Sequence, residues 1–428
     1  MSSVILKSLS AQNFASFADA VVFTTGIDTS KKDITENIFY SNQEAYNKIS
    51  FVYGANGSGK TFFCKIIREI QRMVAVSPFI TFSDSNVLST PHLKGIDKPV
   101  TKFIFNTDYA KHPTTLGIEI VIDGLIYNYV FSINDNKVVY ELLTKKDKRT
   151  EKLIERTSPS FKDIVVRSDL KSFDNTKMVV KEESLCLPVA ALLNNELARK
   201  IVDAIRSIHA VNMAGTAFRP VNNEKAFSRE RIDKYVQVLK KADPTIVDME
   251  VSFEDEEVER KKIESDDFEN REFITKKTTI TVETKHIVVE NGEKVVKSPV
   301  SFFGEESLGT VKLFSTLPHL YDVLENGGVL FIDEIENGLH LSLVKEIIGL
   351  FLNTETNPHN AQLICTSHQP LLLDGPFRRD QVWITSKNEQ GKSSLYRLSE
   401  SKTSRAKVNL INKVLENAFG CNPEKFFS

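Results

Sequence analysis

The chain has 428 residues, 41% hydrophobic and 26% charged, with a formal net charge of −2; this is the balance of a globular protein of two or three compact units, with no global attraction to nucleic acid. Four scattered cysteines (Cys64, Cys186, Cys365 and Cys421) form no CxxC pair, which argues against a zinc site or a disulfide framework and fits a reducing cytoplasmic setting. No apolar stretch approaches the roughly 18 residues of a membrane helix, and the start Met1-Ser2-Ser3-Val4-Ile5-Leu6-Lys7 reads as a first strand rather than a secretory leader.

The next apolar run, Ile49-Ser50-Phe51-Val52-Tyr53, has the composition of a buried strand. It leads into Gly54-Ala55-Asn56-Gly57-Ser58-Gly59-Lys60-Thr61, and Phe62 to Arg68 continues as a helix. Strand, glycine-rich loop and helix start form the context of a phosphate-binding loop. The glycines let backbone N–H groups wrap phosphates, and the helix N-terminus adds a positive dipole end. Lys60 is placed for the β- and γ-phosphates of ATP or GTP, and the Thr61 hydroxyl for magnesium. Cys64, in the following helix, reads as core.

Gly117 to Ser132 carries strand-forming residues on both sides of Asp123-Gly124, a hairpin signal, and Asn134-Asp135-Asn136 makes a second turn. From about residue 150 the character changes. Lys145, Lys146, Lys148, Arg149 and Lys152 form a basic run that reads as a solvated linker face. Pro188 to Ala210 is expected to be one amphipathic helix, with Leu192, Leu193, Leu197, Ile201, Ile205 and Ile208 at helical spacing. A second helix is expected near Glu224 to Ala242, with Ile232, Tyr235, Val236 and Leu239 on one face. The charge-dense stretch from Glu254 to Glu269 reads as a mobile surface segment. Thr278 to Val296 alternates and turns at Asn291-Gly292. No heptad arm interrupts this region.

Glu305-Glu306-Ser307-Leu308-Gly309-Thr310 opens another helical pattern. Its Ser307 and Gly309 fit an anion site at a helix start, and Ser307 equally fits a simple N-cap. Gly328-Val329-Leu330-Phe331-Ile332 is a buried parallel strand by composition, ending in Asp333 and Glu334. Paired with the phosphate loop, Asp333 is placed for magnesium and Glu334 to polarise an attacking water. Glu336 to His340 reads as a turn into a helix from Leu341 to Phe351, and Ile364-Cys365-Thr366-Ser367 ends at His368. A histidine there serves either the γ-phosphate or the strand end itself. Ser393 to Leu398 reads as a last strand, with a basic helix running on to Phe419-Gly420.

The motif order (phosphate loop, Ser-x-Gly helix start, acidic strand, strand-end histidine) resembles that of ABC-type ATPase heads. It is closer to their SMC/RecF-like branch, and within it to stand-alone bacterial anti-phage ATPases: abortive-infection and RloA-like proteins and the ATPase of the PARIS system. The likeness is carried by Asn13-Phe14-Ala15-Ser16-Phe17, by Glu306 to Phe314, by Phe331 to His340, by Thr354 to His368 and by Arg378 to Trp383. It covers roughly residues 1–145 and 295–428. Leu308, Asn337 and Leu341 depart from the common pattern, and no glutamine near Asn106 to Asp108 matches the usual Q-loop.

The resemblance implies an α/β ABC-type P-loop head, a mixed sheet with an antiparallel arm. Residues 1–145 would form the N-terminal lobe, 146–295 an inserted helical, charged and hairpin region, and 296–428 the C-terminal lobe. It further implies ATP hydrolysis with Mg2+ between two heads, as a homodimer or higher homo-oligomer. Gly54, Asn56, Gly57, Ser58, Gly59, Lys60, Thr61, Asp333, Glu334 and His368 would act in cis, Ser307 and Gly309 in trans. The expected role is a sensor or regulator in an abortive-infection type anti-phage system, answering a phage protein. It would control a separate effector polypeptide such as a TOPRIM-type nuclease. The alternative is a RecF-like DNA-maintenance ATPase, which would need a basic groove and salt-dependent DNA binding. A transporter subunit ranks below both, since the full Leu-Ser-Gly-Gly signature is missing.

Overall fold

The computed structural model describes residues 4–28, 35–82, 98–212, 224–265, 268–375 and 377–400. The expected basic C-terminal helix lies outside them. The chain divides into two compact units, one formed by Met1–Ala214 with Asp322–Ser428 and the other by Gly215–Tyr321.

The first unit holds two large sheets. One has six strands in the order His209–Asn212, Val329–Asp333, Gln362–Ser367, Ile49–Tyr53, Val382–Lys387 and Ser393–Arg397. The first five are parallel to their neighbours and the last is antiparallel. Ile49, Phe51, Val52, Val329, Leu330, Phe331, Ile332, Leu363, Ile364 and Cys365 are all buried. Parallel strands covered on both faces need such continuous apolar runs. The register sets the ends of the phosphate-loop strand, the histidine strand and the acidic strand at one carboxyl edge. Open α/β sheets bind their ligands at that edge.

The second sheet is wholly antiparallel, with seven strands in the order Ile164–Val166, Thr150–Arg156, Lys137–Lys146, Leu125–Asn134, Thr114–Ile122, Val4–Gln12 and Val21–Thr24. Its turn at Asp123-Gly124 has both residues at positive φ (51° and 77°), as a type I′ hairpin demands. Phe63, Ile66, Ile67, Ile70 and Val74 of the helix Lys60–Phe82 share one core with Leu6, Leu116, Ile118 and Phe131 of this sheet and with Phe331 and Ile364 of the other. The helix that follows the phosphate loop is thereby clamped between both sheets.

The structure departs from the sequence reading in two places here. The change of character expected near residue 150 falls inside a hairpin: Lys137–Lys146 pairs with Thr150–Arg156, and the sheet runs on to Ile164–Val166. In that basic run Lys145 pairs with Asp169 at 2.8 Å and Lys152 with Glu155 at 2.6 Å. The single helix expected over Pro188 to Ala210 is two helices, Cys186–Leu192 and Glu196–Arg206, followed by the strand His209–Asn212. Asn194 takes a positive φ of 66° between them. The Asn195 side chain then accepts the Ala198 N–H at 2.9 Å and starts the second helix afresh.

In the second unit the helix Arg229–Ala242 buries Ile232, Tyr235, Val236 and Leu239, as its spacing predicts. A three-stranded antiparallel sheet follows, Ile246–Ser265, Phe268–Glu290 and Glu293–Ser301. Asn291 and Gly292, at φ 54° and 87°, make its second turn. The charge-dense stretch expected to be mobile is strand up to Ser265 and again from Phe268. Its register sets Glu256 opposite Lys277, Glu257 opposite Lys276 and Lys262 opposite Glu272. Among the described residues no helix is long and apolar enough to cross a membrane.

Candidate functional site

The loop from Gly54 to Gly59 leaves the strand Ile49–Tyr53 and enters the helix at Lys60. A Cβ on Gly54 would lie 2.4 Å from the Thr385 carbonyl oxygen, so only glycine fits. Gly59 sits at φ 120° with Ser393 against it. The Ser58 carbonyl accepts the Thr385 hydroxyl at 3.0 Å and the Ser393 hydroxyl at 2.7 Å, which fixes the loop from the edge of the sheet. Its own hydroxyl is buried without a hydrogen-bond partner.

Lys60 donates to the Gly54 and Ala55 carbonyls at 2.8 and 2.9 Å. Burial pushes its pKa below that of an ordinary lysine, against the pull of Glu334, Glu336 and Asp333. An ammonium held this way is desolvated and surrounded by backbone, ready to meet an anion in the loop.

Asp333 ends its strand fully buried. Its Oδ1 accepts the Thr366 hydroxyl at 2.7 Å, and the nearby Thr61 hydroxyl favours its charged form. A hydroxyl and a carboxylate placed side by side are the hard-oxygen donors that magnesium takes from protein when phosphates complete its shell. These residues fit the ion. Burial raises the Asp333 pKa above the usual aspartate range, Glu334 adding to it and Thr366, Thr61 and Arg68 opposing it. The native state therefore holds that proton more tightly than the unfolded chain. This group's contribution to stability falls as pH rises from the usual aspartate value through the raised one. Magnesium needs the carboxylate form, so magnesium-dependent ATP binding is expected to weaken on acidification at a higher pH than an ordinary aspartate allows. Titration of a fluorescent ATP analogue with and without magnesium checks this, and Asp333→Asn should remove the difference.

Glu334 is a non-glycine residue in the left-handed region, at φ 54°, a strained conformation of the kind that clusters at functional sites. Its N–H donates to the Thr366 hydroxyl at 2.7 Å, and Asn337 Nδ2 donates to its Oε2 at 3.3 Å. One threonine thus ties both acids of the strand to the neighbouring histidine strand. At the end of that strand the His368 N–H donates to Glu336 Oε1 at 2.7 Å, and His368 Nδ1 lies 2.9 Å from the same oxygen. Asn56, Gly57, Glu334, Asn337 and His368 are among the residues lining one cleft of about 650 Å³.

The structure therefore brings the phosphate loop, Thr61, Asp333, Glu334 and His368 to one edge of one unit. Ser307 and Gly309 belong to the other unit. There Ser307 Oγ accepts the Thr310 N–H at 3.1 Å, the N-cap of the helix Leu308–Asn326, while Leu308 beside it stays half-exposed. Sequence reasoning missed Thr366, Glu336 and Asn337 as parts of the site. Thr366 lay inside an apolar strand and Glu336 inside a polar turn, and neither setting marks a contact to a residue about thirty positions away; Asn337 meets Glu334 only three positions back, within the same turn.

The chain matches the family described as "AAA domain, putative AbiEii toxin, Type IV TA system" over residues 49–374. Among curated proteins nothing matches. One similar solved structure is the SMC head domain from Thermotoga maritima, at 11% identity, covering 92% of this chain and 98% of that one, with a TM-score of 0.34. A likeness at that score carries no argument, and the fold assignment rests on the strand order itself.

Proposed function

The chain belongs to this AAA-domain family, and from that premise we propose that it is a magnesium-dependent ATPase acting as the sensor or regulator of an abortive-infection type anti-phage system. The observation that carries the ATPase reading is the convergence of Lys60, Thr61 and Asp333 around the phosphate loop. Lys60 neutralises the β- and γ-phosphates, and the loop's N–H groups orient them. Thr61 and Asp333 would hold magnesium, which would supply positive charge to offset that of the phosphates. Glu334 takes the proton of the attacking water, and His368 faces the γ-phosphate from the cleft. The anti-phage setting is supported by the family's description and by the motif order at both ends of the chain.

ATP is proposed to close two copies face to face, with Ser307 and Gly309 of one copy capping the γ-phosphate held by the other. The homodimer, or a higher assembly built from it, would respond to a phage protein and control a separate effector, such as a TOPRIM-type nuclease, in the cytoplasm. The helix start at Ser307 and the half-exposed Leu308 suit a surface offered to a partner copy.

The test is mass in solution for the Glu334→Gln protein with and without ATP and magnesium. An ATP-dependent doubling is expected, and Ser307→Arg in the same background should abolish it while ATP affinity changes less than about threefold. If the doubling survives Ser307→Arg, the trans assignment is wrong. If mass never responds to ATP, closure by nucleotide is wrong.

A further inference from the structure

We propose that Glu336 is the positioning residue for His368, fixing which ring nitrogen faces the nucleotide cleft. The inference rests on the reading of His368 as the γ-phosphate contact. Glu336 and His368 are separated by 32 positions and meet because the acidic and histidine strands are parallel neighbours. One carboxylate oxygen, Oε1, accepts the His368 N–H at 2.7 Å and lies 2.9 Å from ring Nδ1. With Nδ1 engaged, Nε2 is the ring nitrogen left for the cleft that His368 lines. The tautomer and the ring angle of a histidine are set by the partner of its other nitrogen.

Two observations set this apart from a carboxylate that merely ties down a strand end. The main chain of His368 is already held on its other side, where the Tyr53 hydroxyl donates to the His368 carbonyl at 2.9 Å. Glu336 Oε2 is buried with no hydrogen-bond partner. Burying an unmatched carboxylate oxygen is costly, and a neutral side chain would supply the single acceptor that a strand end needs. The same turn also supplies Asn337 to Glu334, so two adjacent residues steady the two groups that meet the reacting phosphate and water.

The experiment uses the full chain with 15N-labelled histidine, the His368 signal being assigned among eight histidines by its loss in His368→Ala. The wild type should show a hydrogen-bonded Nδ1–H at His368, absent in Glu336→Ala and retained in Glu336→Gln, which keeps an oxygen acceptor. Turnover should fall about 10–100-fold in Glu336→Ala, as loss of an orienting partner does. ATP affinity should hold, the glutamine variant should recover most of the rate, and Glu336→Ala should cost nothing further in a His368→Ala background. An unchanged His368 signal in Glu336→Ala overturns the proposal, as does an equal loss of rate with and without His368. Should the alanine variant not fold, loss of the Nδ1–H signal in Glu336→Gln overturns it. If the wild type does not turn ATP over, the ATPase reading fails, while the His368 signal still decides the role of Glu336.

Discussion

Glu334→Gln is expected to slow ATP turnover by roughly 10²–10⁴-fold, the usual cost of losing a general base, while leaving ATP affinity nearly unchanged. The side chain has little to do with holding nucleotide. Its backbone is fixed through the Thr366 hydroxyl, and its carboxylate is steadied by Asn337 Nδ2. Glutamine keeps the length and an oxygen for Asn337, so the turn at φ 54° has no new reason to move. What disappears is an anionic oxygen able to take a proton from water. Asp333 cannot replace it, because the Thr366 hydroxyl already bonds to its carboxylate and burial disfavours its charge. Phosphate release measured beside binding of a fluorescent ATP analogue separates the two effects. Near-normal turnover in this variant would move the base elsewhere in the cleft, and weakened binding would make Glu334 a structural acid.

The parts of this molecule that were legible in its sequence are those whose physics is local. A parallel strand buried on both faces must be apolar throughout, so Ile49–Tyr53, Val329–Asp333 and Gln362–Ser367 could be read directly, and with them the edge that carries the site. Asp123-Gly124 and Asn291-Gly292 announced their hairpins because few other residues accept two successive positive φ angles. The misreadings have a common cause. Helical spacing from Leu197 through Ile205 runs on into Ile208, and nothing local says that His209–Asn212 will be recruited as an edge strand by Val329–Asp333. The charged hairpin was hidden because its backbone partners lie across the ladder, Ile246–Ser265 against Phe268–Glu290, and not along the chain. Thr366 and Glu336 were hidden for the same reason. Each becomes a partner only once two strands lie side by side.

Lys60→Ala is expected to abolish ATP binding at working concentrations, with the affinity falling by a factor on the order of 10³. A unit charge about 4 Å from a phosphate oxygen contributes roughly 4 kcal/mol at an effective dielectric constant near 20, and about 1.4 kcal/mol corresponds to tenfold. In this site the loss is compounded, because Glu334, Glu336 and Asp333 all act on the ammonium. Without it, incoming phosphates meet three carboxyl groups and no local cation from the loop. The substitution also removes the two bonds that Lys60 makes to the Gly54 and Ala55 carbonyls. The empty loop should therefore loosen even before nucleotide is added, seen as faster amide exchange over Gly54 to Gly59. The rest of the fold should hold, since the helix Lys60–Phe82 is anchored by Phe63, Ile66, Ile67 and Ile70 in the core between the sheets. Calorimetric titration with ATP and magnesium measures the loss, and thermal unfolding reports on the scaffold. Binding within about tenfold of wild type would mean that the loop's N–H groups and helix dipole hold the phosphates without the lysine. The site would then be one that grips nucleotide through backbone alone.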